Sequence, residues 1–200
     1  GLGVKQVLEY HVRGPVVIHV ATSRAVKAAA EALGSEVRLS KIGEINVCQA
    51  MIECGAVVGG EGNGGLIVPG IHTCRDSFAA MALVLERMAM TGRSVTALRA
   101  EFVPCQIVKR QLHTPAHEAA RILRRLRRMY ADRRPLAIDG VRVDLDDAWF
   151  SVRRSNTESV LRLYTEAPTR DAAVAIADRV EKQIHEISLA GGADEGAIIP

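Results

Sequence analysis

Pro15-Val16-Val17-Ile18-His19-Val20, followed by Ala21-Thr22-Ser23-Arg24, is the stretch that decides how this 200-residue chain folds. The run is short, almost wholly apolar and rich in β-branched residues, as a strand buried on both faces of a parallel sheet requires. Thr22 or Ser23 then stands where a helix needs an N-cap, Val26, Ala29, Ala30 and Leu33 make an inner face, and Gly34 supplies the stop. Val37-Arg38-Leu39 reads as a second strand. Glu44 to Cys54 reads as a second helix with Val47 and Met51 inward and Gly55 as terminator, and Ala56-Val57-Val58 as a third strand. After Leu66-Ile67-Val68, the spacing of Phe78, Met81, Ala82, Leu85 and Met88 predicts a long helix over 74–90 with those residues facing inward. Strand and helix alternate, so the expected architecture is a parallel sheet with helices against it. Gly1 stands without an initiator methionine and leads almost at once to a core strand, and the chain reads as a piece of a longer protein.

Near Val103-Pro104-Cys105 the pattern changes. Gln106 to His113 alternates like a half-exposed strand, and Thr114-Pro115 opens a helix with Ile122, Leu123, Leu126, Met129 and Tyr130 on one face. Asp139-Gly140 between Leu136-Ala137-Ile138 and Val141-Arg142-Val143 is a hairpin signal. Val160 to Tyr164 alternates as a strand, Arg170 to Ile187 buries Ile176, Val180, Ile184 and Ile187 on a last helix, and 188–200 reads as a loose tail. The fold class is therefore α/β: a parallel-sheet α/β domain over 1–103, then a smaller α+β domain with an antiparallel sheet over 104–200.

An apolar fraction of 48% supports a real core, and a formal charge of +3 is too small to demand nucleic acid or a membrane as partner. Arg121, Arg124, Arg125, Arg127 and Arg128 line one helix face, but no aromatic is interleaved for base stacking, so the face reads as solvated. No apolar run reaches the length of a membrane span. Cys48, Cys54, Cys74 and Cys105 form no Cys-x-x-Cys pair, and they read as buried, reduced thiols of a cytoplasmic protein.

Two loops carry chemistry. In Gly59-Gly60-Glu61-Gly62-Asn63-Gly64-Gly65 the glycines let backbone approach a ligand, while the Glu61 carboxylate and Asn63 amide suit a sugar edge; the rival reading is a flexible hairpin turn. In Arg153-Arg154-Ser155-Asn156-Thr157-Glu158, hydroxyls, an amide and turn N–H groups suit a phosphate, with Arg153 and Arg162 as the direct cations; the rival is a helix capping box from Ser155 to Glu158. Arg24 and Lys41 each follow a strand, where a cation could meet phosphate or hydroxyl, though either also fits a plain surface cation. His72 reads as a satisfied loop histidine, and Asp76 as favouring a helix N-terminus. His113 and His117 are four apart, but Pro115 between them argues against a metal pair. Asp144, Asp146 and Asp147 could hold magnesium, yet at a strand end such carboxylates more often solvate a turn.

Together these loops resemble those of the alpha-D-phosphohexomutases, the family of phosphoglucomutase, phosphomannomutase and phosphoglucosamine mutase. The glycine loop is similar to the family's sugar-binding Gly-Glu-x-Ser/Asn-Gly, and Arg153 to Ser159 to its phosphate loop, with Arg154 and Ser159 where prolines are usual. Thr22-Ser23-Arg24, Gly43-Glu44, Arg75-Asp76 and Asp139-Gly140-Val141-Arg142 agree as well. The resemblance implies the family's third and C-terminal domains, with Glu61, Gly62, Asn63 and Gly64 on sugar hydroxyls. It implies Arg153, Ser155, Asn156, Thr157 and Arg162 on the phosphate that is not transferred, with Arg24, Lys41 and Arg154 as auxiliaries. It also implies an enzyme moving phosphoryl between a sugar's 1- and 6-positions, with a phosphorylated hexose or hexosamine as substrate. The phosphoserine loop and the magnesium loop of that family are absent here. Mg2+ and its ligands would belong to missing N-terminal domains of the same enzyme, and this chain alone is expected to be inactive, or else a stand-alone phosphosugar-binding module.

Overall fold

Val16–His19 (β1) is buried along its whole length, Val16 and Ile18 against one face of a sheet and Val17 against the other. A computed structural model describes residues 1–155 and 157–194 of the chain. It divides into two units, Gly1–Cys105 and Gln106–Pro200.

The first unit is a helix–sheet–helix sandwich. β1 pairs in parallel with Val37–Ser40 (β2) and with Val58–Gly60 (β3), and Leu66–Ile67 (β4) returns antiparallel to β3, giving the order β2-β1-β3-β4. The sheet is thus mixed at its edge, because β3 and β4 are joined by a five-residue loop too short for a parallel crossover. Val47, Met51 and Ile67 pack with Val17 on one face, where Glu44–Cys54 (α3) lies. The other face packs Val4, Val7, Leu8, Ala30, Leu66 and Leu83 against Val16, Ile18 and Val58. Leu66 belongs to β4, and the helical residues come from the N-terminal helix, Arg24–Ala32 (α2) and Ser77–Thr91 (α4). Ser23 caps α2 by accepting from Ala25 N, and Asp76 caps α4 by accepting from Ala79 N at 2.9 Å.

Two expectations fail in this unit. Gly1 does not run toward a strand: Leu2–Gln6 (α1) is helical and continues as a π-helical turn over Val7–His11, burying Val4, Val7 and Leu8 at i, i+3 and i+4. On α4 the inward face is Ala79, Leu83 and Arg87, while Phe78 is 82% and Leu85 63% exposed. Periodicity locates an apolar stripe without saying what the stripe faces. Arg87 can enter the core because Glu9 and Glu101 meet its guanidinium at 2.6 and 3.1 Å. A short helix, Val95–Arg99 (α5), closes the unit.

The second unit is an antiparallel sheet of order β5-β8-β7-β6, from Gln106–His113 (β5), Val141–Asp144 (β6), Trp149–Arg154 (β7) and Val160–Ala167 (β8). Ala116–Met129 (α6) and Arg170–Asp194 (α7) supply Ile122, Leu126, Val180 and Ile184 to one core with Val141, Phe150, Val152, Leu161 and Leu163. The hairpin expected at Asp139-Gly140 shrinks to a single Leu136–Arg142 bridge, since β6 takes β7 as its ladder partner. The last helix runs through Gly191-Gly192 to Asp194 instead of ending at Ile187, its carbonyls at Ile187 and Ser188 held by Arg121. Residues 195–200 lie outside the described residues. Met129, expected inward, is 45% exposed, and all four cysteines are half-buried rather than buried, none of them in a disulfide.

Candidate functional site

Parallel pairing puts the carboxyl ends of β1, β2 and β3 on one edge of the first unit, where ligands of such sheets gather. The glycine loop leaves β3 there. Glu61 N donates to Gly65 O at 2.9 Å and Gly64 N to Glu61 O at 3.2 Å, and Gly64 takes φ +98°, a conformation costly for other residues. Asn63 Oδ1 accepts from Gly65 N at 3.0 Å, while its Nδ2 lies 3.4 Å from Glu61 Oε2. The two polar side chains singled out from the sequence therefore stand beside each other.

What orients Glu61 is Arg75. Its Nη1 meets Glu61 Oε2 at 2.9 Å, its Nε meets Glu44 Oε2 at 2.9 Å and its backbone N–H donates to Glu44 Oε1 at 2.6 Å. These bonds from Arg75 backbone and side chain hold Glu44 below the usual carboxylate range, and Glu44 with Glu61 raises Arg75 in turn. A Cβ on Gly65 would come within 2.3 Å of Arg75 Cδ, so a larger residue there would push aside the side chain that pairs with both carboxylates. The Glu61 side chain is only 7% exposed.

From below, His19 at the end of β1 holds the loop. Gly62 N donates to His19 Nε2 at 2.9 Å, and His19 Nδ1 lies 3.1 Å from both Thr22 Oγ1 and Ala21 N. The Ala21 N–H points at Nδ1 as the Gly62 N–H points at Nε2, so the ring is held at both nitrogens between its own strand end and the glycine loop. His19, Arg75 and Glu44 had no site role in the sequence reading. A histidine closing an apolar strand and an arginine just before an Asp N-cap were the available signals, and both are weak until the chain is folded. Arg24 opens α2 and Lys41 follows β2, both on this edge.

The second unit's loop joins β7 to β8. Residues 157–159 are bends and β8 starts at Val160, so Ser155 caps no helix and the capping-box alternative falls. Ser155 is buried, with its N–H on Val160 O at 2.9 Å. Asn156 lies outside the described residues. Arg153 is tied through Nε to Asp139 Oδ2 at 3.0 Å, and its side chain is 8% exposed. Arg162 is the cross-strand neighbour of Arg153, and its Nη2 meets Glu158 Oε2 at 3.0 Å. A cavity of about 280 Å³ at the loop is lined by Thr114, Arg154, Ser155, Thr157, Glu158 and Ser159. Arg154, only an auxiliary by resemblance, is thus the cation that lines it. Asp139-Gly140 earns its place here: Gly140 has φ +78°, and a Cβ on it would stand 2.2 Å from Val152 O.

Models of two adjoining domains match this chain: the phosphoglucomutase/phosphomannomutase alpha/beta/alpha domain III over residues 2–105, and the C-terminal domain of the same proteins over residues 108–183. The chain belongs to the phosphoglucomutase/phosphomannomutase family. Among its relatives, a protein of Methanopyrus kandleri named "Probable phosphoglucosamine mutase" is 33% identical over 178 residues, which is 87% of this chain and 39% of that one. The "Phosphoglucomutase/phosphomannomutase" of Thermococcus kodakarensis is 30% identical over 163 residues, 80% of this chain and 35% of that one. A phosphoglucomutase/phosphomannomutase family structure from Burkholderia thailandensis superposes with a TM-score of 0.74 at 22% identity, covering 94% of this chain and 41% of that one. The Aspergillus fumigatus N-acetylphosphoglucosamine mutase in complex with GlcNAc-6P and magnesium gives 0.62 at 16% identity, covering 93% and 42%. At such identities the structural likeness speaks to the fold. The chain spans about two fifths of the length of the curated relatives it matches.

Family members of full length are phosphohexomutases, and one neighbour holds magnesium. The described residues of this chain do not make a site for that ion. No group of three His, Cys, Asp or Glu side chains among them is placed to hold a metal. Asp144 is taken by Arg142 at 2.8 Å and Asp146 by Arg133 at 2.9 Å. Among the described residues no helix is long and apolar enough to cross a membrane.

Proposed function

We propose that this chain is the substrate-holding, C-terminal half of a phosphohexomutase, and that its substrate is a hexosamine phosphate, as in a phosphoglucosamine mutase. The observation that carries the reading is the match of both domain models in sequence order, with one polar loop in each matched unit. Relatives named for phosphoglucosamine favour the amino sugar; mannose and glucose phosphates are the competing ligands.

Glu61, set by Arg75, would accept from two neighbouring sugar hydroxyls while Asn63 Nδ2 donates to one of them, with Gly62 and Gly64 giving the backbone room. Arg153, held through Nε by Asp139, keeps its two terminal NH2 groups for a phosphate, joined by Ser155, Asn156, Thr157 and the neighbouring Arg154 and Arg162. Arg24 and Lys41 add positive charge at the sheet edge. Such a grip binds and orients; phosphoryl transfer also needs a donor and charge neutralisation, which in this reading come from N-terminal domains of a longer cytoplasmic enzyme carrying Mg2+. On its own the chain would bind without isomerising, which is also what a non-catalytic phosphosugar-binding module would do.

Calorimetric titration with glucosamine 6-phosphate, mannose 6-phosphate and glucose 6-phosphate tests the reading. The amino sugar should bind tightest, and Arg153→Ala should weaken it by about tenfold or more, the size of one charge-assisted bond. Equal affinity in wild type and Arg153→Ala would remove that residue from the phosphate site.

A further inference from the structure

The segment that delivers Arg75 also carries a group of reactive side chains that sugar binding does not use. Cys74 Sγ lies 2.7 Å from His72 Nδ1. Cys48, on α3 one turn after Glu44, donates its thiol to Thr73 O at 3.0 Å. That carbonyl belongs to the peptide that ends at Cys74 N, so the two thiols flank one peptide unit. All four cysteines are half-buried and outside any disulfide, so exposure alone does not distinguish this pair from Cys54 and Cys105. Cys74 has an imidazole against its sulfur and Cys48 reaches the backbone next to another cysteine, whereas the Cys54 thiol meets only the Met51 carbonyl of its own helix at 3.9 Å.

We propose that Cys74 is a peroxide-reactive thiol and Cys48 its resolving partner, so that this corner of the first unit is a reversible oxidation site. His72 Nδ1 takes the Cys74 proton, and the thiolate attacks the nearer oxygen of a hydroperoxide. The O–O bond breaks, the proton passes to the departing oxygen as an alcohol or water, and Cys74 becomes a sulfenic acid. The Cys48 sulfur then attacks Cys74 sulfur, the S–O bond breaks, and the hydroxyl leaves as water with the Cys48 proton. Two electrons pass from the two thiols to one peroxide, and a dithiol reductant reverses the change.

The roles are asymmetric for physical reasons. Burial, with the charges of Glu44 and Cys74, pushes the Cys48 thiol up, which leaves less of it as thiolate and makes it unsuited to meet peroxide first. Cys74 sits on a half-buried bend with His72 against its sulfur, while the Arg75 guanidinium next to it is engaged by Glu44 and Glu61, so His72 is the group placed to take its proton. The Thr73 carbonyl touches Cys48, so the two cysteines lie on adjoining segments, and closure requires the Cys74 side chain to leave His72 and turn toward α3.

The test is chemical and independent of any sugar. The native chain is treated with one equivalent of hydrogen peroxide, digested without reductant and mapped by mass spectrometry. The expected product is a Cys48–Cys74 linked peptide, lighter by two hydrogens, with Cys54 and Cys105 still reduced as internal controls. Cys48→Ser should stop the reaction at a sulfenic acid on Cys74 that dimedone captures. His72→Gln should slow oxidation of Cys74 by about tenfold or more, as loss of a positioned base does. The wild-type linkage map does not depend on either variant folding. A different cysteine pair, Cys74 oxidising no faster than Cys54 or Cys105, or an unchanged rate in a folded His72→Gln chain would each overturn the proposal.

Discussion

Gly140→Ala should destabilise the second unit well beyond the cost of its backbone angle, and the structure says by how much. At φ +78° an alanine is strained by about 1 kcal/mol. Its Cβ would also stand 2.2 Å from Val152 O and 2.8 Å from Arg153 Cα, where ordinary contact starts at 3.4 Å. Neither neighbour is the tip of a flexible side chain; both are backbone atoms of β7, on which Val152 is wholly buried. The turn and β7 must part at the rung where Val141 pairs with Val152, an overpacking term of about 1–3 kcal/mol. The total is about 2–4 kcal/mol, or a drop in Tm on the order of 10 °C or more for a unit of this size. Trp149, the chain's single tryptophan, is 1% exposed in this unit, so its fluorescence during urea unfolding reports the loss directly. Gly34→Ala is the comparison: φ is +79° and nothing lies within 4 Å of the added carbon, so far-UV circular dichroism should show only the strain. If Gly140→Ala loses no more stability than Gly34→Ala, the close approach of the turn to Arg153 is refuted.

Three further outcomes follow from particular contacts. Leu83→Ala should cost about 2–5 kcal/mol in urea unfolding, whereas Phe78→Ser, on the exposed stripe of the same helix, should stay within about 0.5 kcal/mol; reversed values would return Phe78 to the core. Arg75→Ala frees Glu61 and Glu44 together, so calorimetry should show about tenfold weaker phosphosugar binding, and an unchanged Kd would mean Glu61 needs no orienting partner. Glu101 is held below the usual carboxylate range by its bond from Lys5, with Arg87 adding to it. Its folded pKa lies under its unfolded one, so its stabilisation is complete above the unfolded value and is lost as pH falls through the folded value. Thermal melts of the first unit between about pH 6 and about pH 3 should steepen accordingly and flatten in Glu101→Gln. A variant with the same pH slope as wild type would contradict the assignment.

Much of this protein was legible because its signals are local. Val16 to His19 could only be a strand buried on both faces, Ser23 and Asp76 sit where helix caps are needed, and Gly55 ends α3 at φ +64°. Glu61 and Asn63 are two residues apart, so a tight loop brings them together wherever it sits. The remainder depends on contacts between residues far apart in sequence. Arg75 finds Glu61 and Glu44, His19 finds the Gly62 amide, and Asp139 finds Arg153, through separations that no periodicity records. The face of α4 went the same way: its apolar stripe was readable, but burial of Arg87 rests on Glu9 and Glu101 from other helices and turns. Sequence alone determined the strand–helix order and the residue types at both loops, because these follow from torsional preference and side-chain chemistry. Only tertiary structure decided which groups orient those loops, because charge pairing and desolvation act through space.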